Sequence, residues 1–395
     1  MSENRRKIRI DNLISNVGEK VEPAMRKTLT IGKGKKKIVV KPVKLAVFTV
    51  VCLVLVALIC QVASMFEGSK SVRIAFDSDN AYRAVSSGSC TVLYNNSGAK
   101  AISKKGRVKW EISEALSEPI AETDGNYLML ADLSGNHFAA CYKNGKKKYD
   151  CLVGDDIISA KVTPKGYSAV ATDTDGYKGK VSVFAPSGRE VYAWSSGSGY
   201  ISDIDLSDNG RYLAVSQIVV DNGKTDSKIQ IVDTRKSTVI ATVERPDEAG
   251  VEVKFVSENR IVFVTDSAIS GYSKHGKILF EISLAGKNAS LYSTESEKMF
   301  AVVCVNNRGN SVLELYSANG KPKGVYTADG DIRALSVSGT KAIVAEQKGI
   351  VRLGGNGKKR HITKINHDIK DICYFSDGGK FIAVGTSQVE VIKGK

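Results

Sequence analysis

A short hairpin pattern repeats along the chain after residue 70 and limits the possible folds more than any other feature. The stretch LSDNGRYLAV (206–215) matches FSDGGKFIAV (375–384) almost position for position, and ETDGNYLML (122–130) has the same form. Each places a polar turn between an alternating strand and an apolar strand. Glycine suits such turns because its backbone adopts positive φ without steric cost. The turns recur about every 40 residues, the length of a four-stranded propeller blade.

A second kind of turn recurs out of phase with the first. It reads strand, x-Gly-Lys/Arg turn, strand, as in SKKGRVKWEI, YKNGKKKYDC, APSGREVYAW, SKHGKILFEI and SANGKPKGVY. The hairpin DTRKSTVIATV (233–243) has the same form without its glycine. The two turns divide each repeat into four strands, A to D. In a propeller the A–B and C–D turns share one face, and the B–C loops lie on the other.

The repeats can be counted from their first strands. Strand A is predicted to begin near Tyr82, Pro119, Ile157, Ile201, Val251, Ala289, Ile332 and Ile369. The last repeat has no D strand after residues 388–392, whereas residues 71–77 (SVRIAFD) form a strand with no partner of their own. We therefore predict an all-β, eight-bladed β-propeller over residues 71–395, closed by pairing of these two segments. Seven blades is the alternative count, and an open solenoid or two β-sandwiches are the competing folds.

Residues 45–66 (LAVFTVVCLVLVALICQVASMF) contain no charged side chain. A helix of this length spans roughly 33 Å, enough for a hydrocarbon core of about 30 Å. The alternatives are a buried core helix and a cleaved signal peptide, but the preceding segment is long and no A-x-A site follows. We predict a single uncleaved transmembrane helix, joined to the propeller by a linker at 67–70.

The net charge of +15 is concentrated before this apolar segment. Residues 1–44 hold 13 Lys and Arg against 4 Asp and Glu, so the remainder carries only +6. This distribution argues against nucleic acid as a partner. The positive-inside rule places residues 1–44, largely disordered, in the cytoplasm and the propeller outside the cell membrane. Five lysines are predicted to set this topology and to contact anionic lipid: Lys35, Lys36, Lys37, Lys41 and Lys44.

The sequence gives little sign of catalysis. The four histidines lack the spacing of a zinc site or of a nucleophile–base pair. DTDGYKGK (173–180) resembles the beginning of a calcium loop but lacks the terminal acidic ligand. We expect no metal and no cofactor, and we favour a binding module over an enzyme. Cys141 and Cys151 flank a predicted hairpin, and a disulfide between them is left open.

The candidate binding residues lie in the long B–C loops, where functional side chains tend to stand on a rigid scaffold. We predict a polar binding rim formed by Asp173, Asp175, Asp221, Asn222, Asp226 and Arg308. The function that follows is a membrane-anchored binding or scaffolding module for an envelope protein or cell-wall polymer. One alternative is a propeller enzyme of the carbohydrate-active or lyase type with an axial active site. Another is a signalling protein whose segment 1–44 recruits a cytoplasmic partner.

The hairpin S-D-x-G-[RK]-[YF]-[LI]-A resembles the first hairpin of WD-repeat and related bacterial propellers. The hairpins that end at Trp110 and Trp194 are similar to quinoprotein-type blades. The plan of residues 30–395 resembles an uncharacterised bacterial family with a basic stub, one membrane helix and an extracytoplasmic propeller. The G-H…W-D pair of WD repeats is missing from most repeats, so the resemblance implies a fold and no specific activity.

Overall fold

The computed structural model describes residues 29–31, 38–40, 71–74 and 82–393, except residues 222, 307, 348, 377 and 387. The predicted transmembrane helix and the five predicted lipid-facing lysines lie outside the described residues. Within the described ranges, no helix has the length and apolar character needed to span a bilayer. The chain divides into two compact units, Met1–Gly68 and Ser69–Lys395.

In the described part of the first unit, β1 (Leu29–Ile31) pairs with β2 (Ile38–Val40) in a short antiparallel ladder. The second unit begins with β3 (Val72–Ile74), and its later strands form sheets numbered here I to VII. Sheet I contains β4 (Arg83–Ser87), β5 (Cys90–Asn95), β6 (Gly98–Ser103) and β7 (Val108–Ser113).

Sheet II has eight strands in two halves. The first half contains β8 (Glu118–Asp124), β9 (Tyr127–Leu133), β10 (His137–Tyr142) and β11 (Lys147–Leu152). The second half contains β12 (Ile157–Val162), β13 (Ser168–Thr172), β14 (Lys180–Phe184) and β15 (Glu190–Ser195). The parallel pairing that joins the halves, between β9 and β12, is the single residue pair Leu133–Ile157.

The remaining sheets have four strands each. Sheet III contains β16 (Tyr200–Leu206), β17 (Tyr212–Asp221), β18 (Lys224–Asp233) and β19 (Thr238–Arg245). Sheet IV contains β20 (Gly250–Ser257), β21 (Arg260–Thr265), β22 (Ala268–Ser273) and β23 (Ile278–Ser283). Sheet V contains β24 (Ala289–Ser296), β25 (Met299–Val305), β26 (Ser311–Ser317) and β27 (Pro322–Thr327). Sheet VI contains β28 (Ile332–Ser338), β29 (Lys341–Glu346), β30 (Gly349–Gly354) and β31 (Lys359–Thr363).

Sheet VII is built from both ends of the second unit. Its strands are β32 (Ile369–Tyr374), β33 (Lys380–Gly385), β34 (Val389–Lys393) and, at the outer edge, β3. Strand β3 runs antiparallel to β34, with Val72 opposite Val391 and Ile74 opposite Val389. The predicted pairing of the two chain segments is therefore confirmed for residues 72–74. Residues 75–77 of the predicted strand lie outside the described residues.

Side-chain hydrogen bonds join the first strand of each sheet, or the turn after it, to the next sheet, and one of them joins the two halves of sheet II. They run from Ala84 N to Asp371 Oδ2 (2.9 Å), from Thr123 Oγ1 to Ser86 O, from Lys161 Nζ to Glu122 Oε1 (3.1 Å), from Ser159 Oγ to Asp203 Oδ1 (2.8 Å), from Val253 N to Asp203 Oδ2 (3.0 Å), from Thr294 Oγ1 to Glu252 Oε1 (2.8 Å), from Ser296 Oγ to Gly339 O (2.8 Å) and from Tyr374 N to Ser336 Oγ (3.2 Å). The series begins and ends at sheet VII. The first strands therefore form a closed ring.

The hydrophobic core lies between neighbouring sheets. Leu213 and Val232 of sheet III, for example, share one buried cluster with Val181 of sheet II. The glycines of the C–D turns complete this packing. A Cβ added at Gly145 would lie 2.7 Å from the Trp110 ring of the preceding sheet, so only glycine permits this contact without displacement.

The closing strand makes the same contact as the tryptophan. A Cβ at Gly106 of sheet I would lie 2.6 Å from Val72 Cγ1 of β3. Ile74 is buried with Leu93 of sheet I and Val391 of sheet VII. Strand β3 thus occupies, for sheet I, the position that β7 occupies for the first half of sheet II.

Candidate functional site

The β17–β18 hairpin is the longest in the second unit, with 10 residues in each strand. Strand β16 pairs with β17 only as far as Ile218, whereas β17 and β18 remain paired to Asp221 and Lys224. The end of the hairpin therefore extends beyond the sheet, on the face that carries the B–C loops. Its length follows from the run of β-branched residues Ile218, Val219 and Val220, which favours a continuous strand.

Hydrogen bonds connect this hairpin to the linkers on either side. Lys228 Nζ donates to Ser198 Oγ of the β15–β16 linker (2.7 Å). On the other side, Asp226 Oδ1 accepts from the backbone N–H of Asp247 (2.8 Å). The Lys224 ammonium also lies 3.5 Å from the Asp247 carboxylate. The hairpin is therefore supported at several points along its length.

The neighbouring B–C loop of sheet II joins the same surface. Lys178 Nζ donates to the Tyr200 hydroxyl (2.7 Å) and lies 4.3 Å from the centroid of the Tyr200 ring. We call this continuous surface the loop platform, and define it as residues 173–178, 196–200, 218–228 and 245–248, without residue 222. Tyr177, Tyr200 and Val220 expose 55%, 53% and 62% of their surface there, so the platform combines apolar area with polar loops.

Four of the predicted rim residues lie in the loop platform. Asp173, Asp175 and Asp221 are exposed, whereas Asp226 is half-buried and holds the 245–248 linker. Arg308 is exposed in the β25–β26 loop of sheet V, and within the described residues no hydrogen bond or ion pair joins it to the platform. Asn222 lies outside the described residues. The prediction of a binding role for these residues stays a prediction.

The first strands carry a second group of polar residues, which sequence reasoning missed. Lys161, Asp203 and Asp205 lie close enough to shift one another's ionisation. Burial raises the pKa of Asp205 to about 7, and Lys161 only partly opposes this shift. Burial alone would lower the pKa of Lys161, but the carboxylates of Glu122, Asp203 and Asp205 hold it above its ordinary value.

The sequence does contain a signal for this group of charged residues on the first strands. Asp203 and Asp205, like Glu252 and Lys254, stand at alternate positions of a predicted A strand, which places both members of each pair on one face. Charges at this spacing in the innermost strand indicate contacts near the axis. The spacing does not reveal that Asp203 and Glu252 are already hydrogen-bonded to the next sheet.

A cavity of about 380 Å³ opens on the face formed by the short A–B turns. Its wall includes the first strands of sheets I, V, VI and VII, with Ser86, Ser296, Ser336, Ser338, Ser376 and Glu295 among the lining residues. None of the five rim residues that the structure describes lines it. We call this space the axial cavity.

The possible metal ligands and the cysteine thiols can be located in the described part of the second unit. There, no group of three or more His, Cys, Asp or Glu side chains is arranged to hold a metal ion. Cys141 and Cys151 are both free thiols. Cys141 lies opposite Lys147, and Cys151 lies opposite Phe138, three residues from Cys141, which is too far along the strands for a bridge.

Antiparallel sheets whose first strands form a closed ring define a β-propeller. The chain belongs to a family of unknown function, DUF5711, whose sequence profile matches residues 62–393. This finding agrees with the resemblance to an uncharacterised family. Among curated proteins, none matches the sequence significantly.

Two solved structures share the fold. The C-terminal WD40 domain of Sif2 has a TM-score of 0.59 and 13% identity, covering 82% of this chain and 99% of that domain. BamB from Moraxella catarrhalis has a TM-score of 0.51 and 13% identity, covering 82% of this chain and 98% of BamB. These matches confirm a propeller similar to WD40 and BamB structures; at this identity they concern the fold alone.

Proposed function

We propose that this chain is a membrane-anchored, extracytoplasmic propeller of eight blades that binds a protein of the cell envelope through the loop platform. The count of eight treats the two halves of sheet II as separate blades, because only the pair Leu133–Ile157 joins them in a ladder. The observation that carries the proposal is the exposure of Tyr177, Tyr200 and Val220 on one hydrogen-bonded surface.

The composition of the platform favours a protein partner over a cell-wall polymer. Tyrosine is enriched at protein interfaces because its ring supplies apolar area and its hydroxyl supplies a hydrogen bond. The exposed carboxylates of Asp173, Asp175 and Asp221 flank this apolar area. A basic partner surface would complement them and speed association.

The alternative of an axial enzyme has weaker support. A catalytic carboxylate must reach the substrate, but Asp203, Glu252 and Asp371 each accept a hydrogen bond from a neighbouring sheet. Their main effect is to hold the ring together. A scaffold of this kind gives the platform a fixed shape, which favours binding because little conformational freedom is lost.

The proposed anchor rests on the uncharged segment 45–66 and the basic residues before it. Fusion of alkaline phosphatase to the carboxyl terminus tests it, because this enzyme is active only outside the cytoplasm. We expect active fusions, and inactive ones after the five lysines near the apolar segment are replaced by glutamine. Inactive fusions of the unaltered chain would contradict the proposed topology.

A pull-down tests the proposed binding. The full chain is purified from solubilised membranes with its bound proteins, beside the variants Val220→Asp and Val325→Asp. Val325 is a matched control because it is 60% exposed but lies on β27, away from the platform. We expect Val220→Asp to remove a partner that Val325→Asp retains. Equal recovery with both variants, or retention of purified cell-wall polymer alone, would overturn the proposal.

A further inference from the structure

Most serine hydroxyls in the wall of the axial cavity are already used by the fold. Ser296 Oγ donates to Gly339 O (2.8 Å), and Ser338 Oγ donates to Ser376 O (3.3 Å). Ser336 Oγ accepts from the backbone N–H of Tyr374 (3.2 Å). These bonds hold sheets V, VI and VII together, so they leave those hydroxyls little capacity for a ligand.

Glu295 and Ser86 are among the polar side chains of the wall that have no such bond. Within residues 82–393 as described, the Glu295 carboxylate takes part in no hydrogen bond or ion pair. Ser86 also lines the cavity, and its Oγ is buried without a hydrogen-bond partner. Buried polar atoms are nearly always paired in folded proteins, so the unpaired Ser86 hydroxyl beside a cavity indicates a missing partner.

The charges around Glu295 indicate which charge a ligand in the cavity would carry. Glu295 is accessible to solvent, but the protein around it displaces bulk water and raises the pKa of its carboxyl group. Lys254 opposes this shift, whereas Asp371, Glu122 and Glu252 add to it. Three carboxylates and one ammonium group therefore act on Glu295 itself, although residues 67–395 carry a net charge of +6.

We propose that the axial cavity binds the ammonium or guanidinium group of a basic ligand, with Glu295 as its counter-ion and Ser86 as a hydrogen-bond partner. A cation at this position relieves the repulsion among the carboxylates and satisfies both unpaired groups. The volume falls within the range of about 300–1,000 Å³ typical of small-molecule sites. A basic side chain of an extended peptide and a free polyamine carry the same group.

The rim of the cavity does not supply an internal substitute for this ligand. Lys298 is exposed on the turn between β24 and β25, directly beside the exposed Glu297. The two opposite charges offset each other at the surface. Lys254 lowers the pKa of the Glu295 carboxyl group, but it also lowers that of Asp124, so its charge is shared between carboxylates. The site is independent of the loop platform, which lies on the other face.

Calorimetry on the purified full chain in mild detergent tests the proposal with three probes. These are agmatine, the peptide N-acetyl-Gly-Lys-Gly-amide, and the same peptide with its lysine acetylated. We expect saturable binding of at least one cationic probe and none of the acetylated peptide. Tighter binding of the lysine peptide assigns a peptide source, and tighter binding of agmatine assigns a free amine. Absence of binding by both cations, or equal binding of the acetylated peptide, would overturn the proposal.

A matched pair of variants locates the site. Glu295→Gln removes the proposed counter-ion, and we expect the dissociation constant to rise at least about tenfold, in keeping with the strength of a charged hydrogen bond. Glu244→Gln removes an exposed carboxylate from β19 and should change it less than about twofold, as expected for a screened surface charge. The Glu295→Gln protein should fold normally, because the change removes repulsion between Glu295 and the neighbouring carboxylates. A thermal unfolding measurement checks that it is folded. Unchanged affinity in a folded Glu295→Gln protein would show that the site lies elsewhere.

Discussion

Glycines of the C–D turns and glycines of the extended B–C loops have different surroundings. On the turn face, a Cβ added at Gly106, Gly145 or Gly320 would collide with a side chain of the preceding sheet. On the loop face, Gly176 and Gly223 also have positive φ but nothing lies within 4 Å of their added Cβ. These C–D turns therefore help to fix the positions of neighbouring sheets, whereas the extended B–C loops leave room for variation.

The difference explains where each proposed binding site lies. Packed turns enclose space between sheets, and the axial cavity lies among them. Open loops instead extend outward, and the β17–β18 hairpin of the loop platform is the longest of them. A rigid ring supports both faces, so damage to the ring should affect both sites, while local changes should affect only one.

Opening the ring should have the largest effect. Ile74→Asp places a carboxylate in the buried cluster that joins β3 to sheets I and VII. Loss of the apolar contact and burial of a charge should lower the free energy of unfolding by about 3–5 kcal/mol. Denaturant unfolding measures this change, and probes of both faces should lose binding together.

The control for this variant is Arg73→Lys. Arg73 is largely exposed on the same strand, with its Nε 3.2 Å from Glu390 Oε1, and Lys preserves the charge. The change should cost less than about 1 kcal/mol, because Arg73 is exposed and Lys keeps a positive charge beside Glu390. If Ile74→Asp were as stable as Arg73→Lys, the two faces would not depend on closure by β3.

Two glycine variants compare the faces directly. Gly145→Ala and Gly176→Ala both place Ala at a φ near +80° (84° and 81°), which costs about 1–2 kcal/mol. Only Gly145→Ala also forces a methyl group against Trp110, adding about 1–3 kcal/mol. We expect Gly145→Ala to unfold at lower denaturant concentration than Gly176→Ala. Equal midpoints would mean that Trp110 moves aside without cost and that the turn face is no tighter than the loop face.

Removing the charge of Asp205 should have the smallest effect on stability. The pH dependence of that effect identifies the carboxyl group as its source. Because burial raises the pKa of Asp205 to about 7, the native state holds a proton that the unfolded state has lost between about pH 4 and pH 7. The stability contributed by this proton is present at low pH and is lost as the pH rises.

Asp205→Asn keeps an acceptor for the backbone N–H of Phe255 but removes the charge. It should raise the melting temperature at pH 8 by about 1–3 °C, with the difference disappearing near pH 4. Thermal unfolding across this pH range measures it. A difference that grows at low pH would contradict the assigned direction of the pKa shift.

Much of the propeller was predictable because its signals are local. Strands β32 and β33 lie at the predicted residues, and β34 begins one residue later than predicted. The predicted A-strand starts agree with the observed strands to within one residue. Turn glycines and alternation depend only on neighbouring residues, so they can be read from the sequence.

The binding sites were less predictable because they are assembled from distant segments. The variable loops pointed to the face that carries the loop platform, but not to the exposed Tyr200, which stands at the start of a regular strand. The axial cavity combines residues as far apart as Ser86 and Tyr374. No local sequence pattern indicates that these residues meet, because their proximity depends on how many sheets complete the ring.

The sequence by itself determined the repeating hairpins, their strand order and the segment that closes the ring. Its uncharged segment and basic arm also predict an anchor, which lies outside the described residues. Only the tertiary structure decided which charges are paired across neighbouring sheets and which, like Glu295, are left facing a cavity. The physical reason is that alternation assigns a side chain to a face of its own strand, whereas its partners come from strands brought together by closure of the ring.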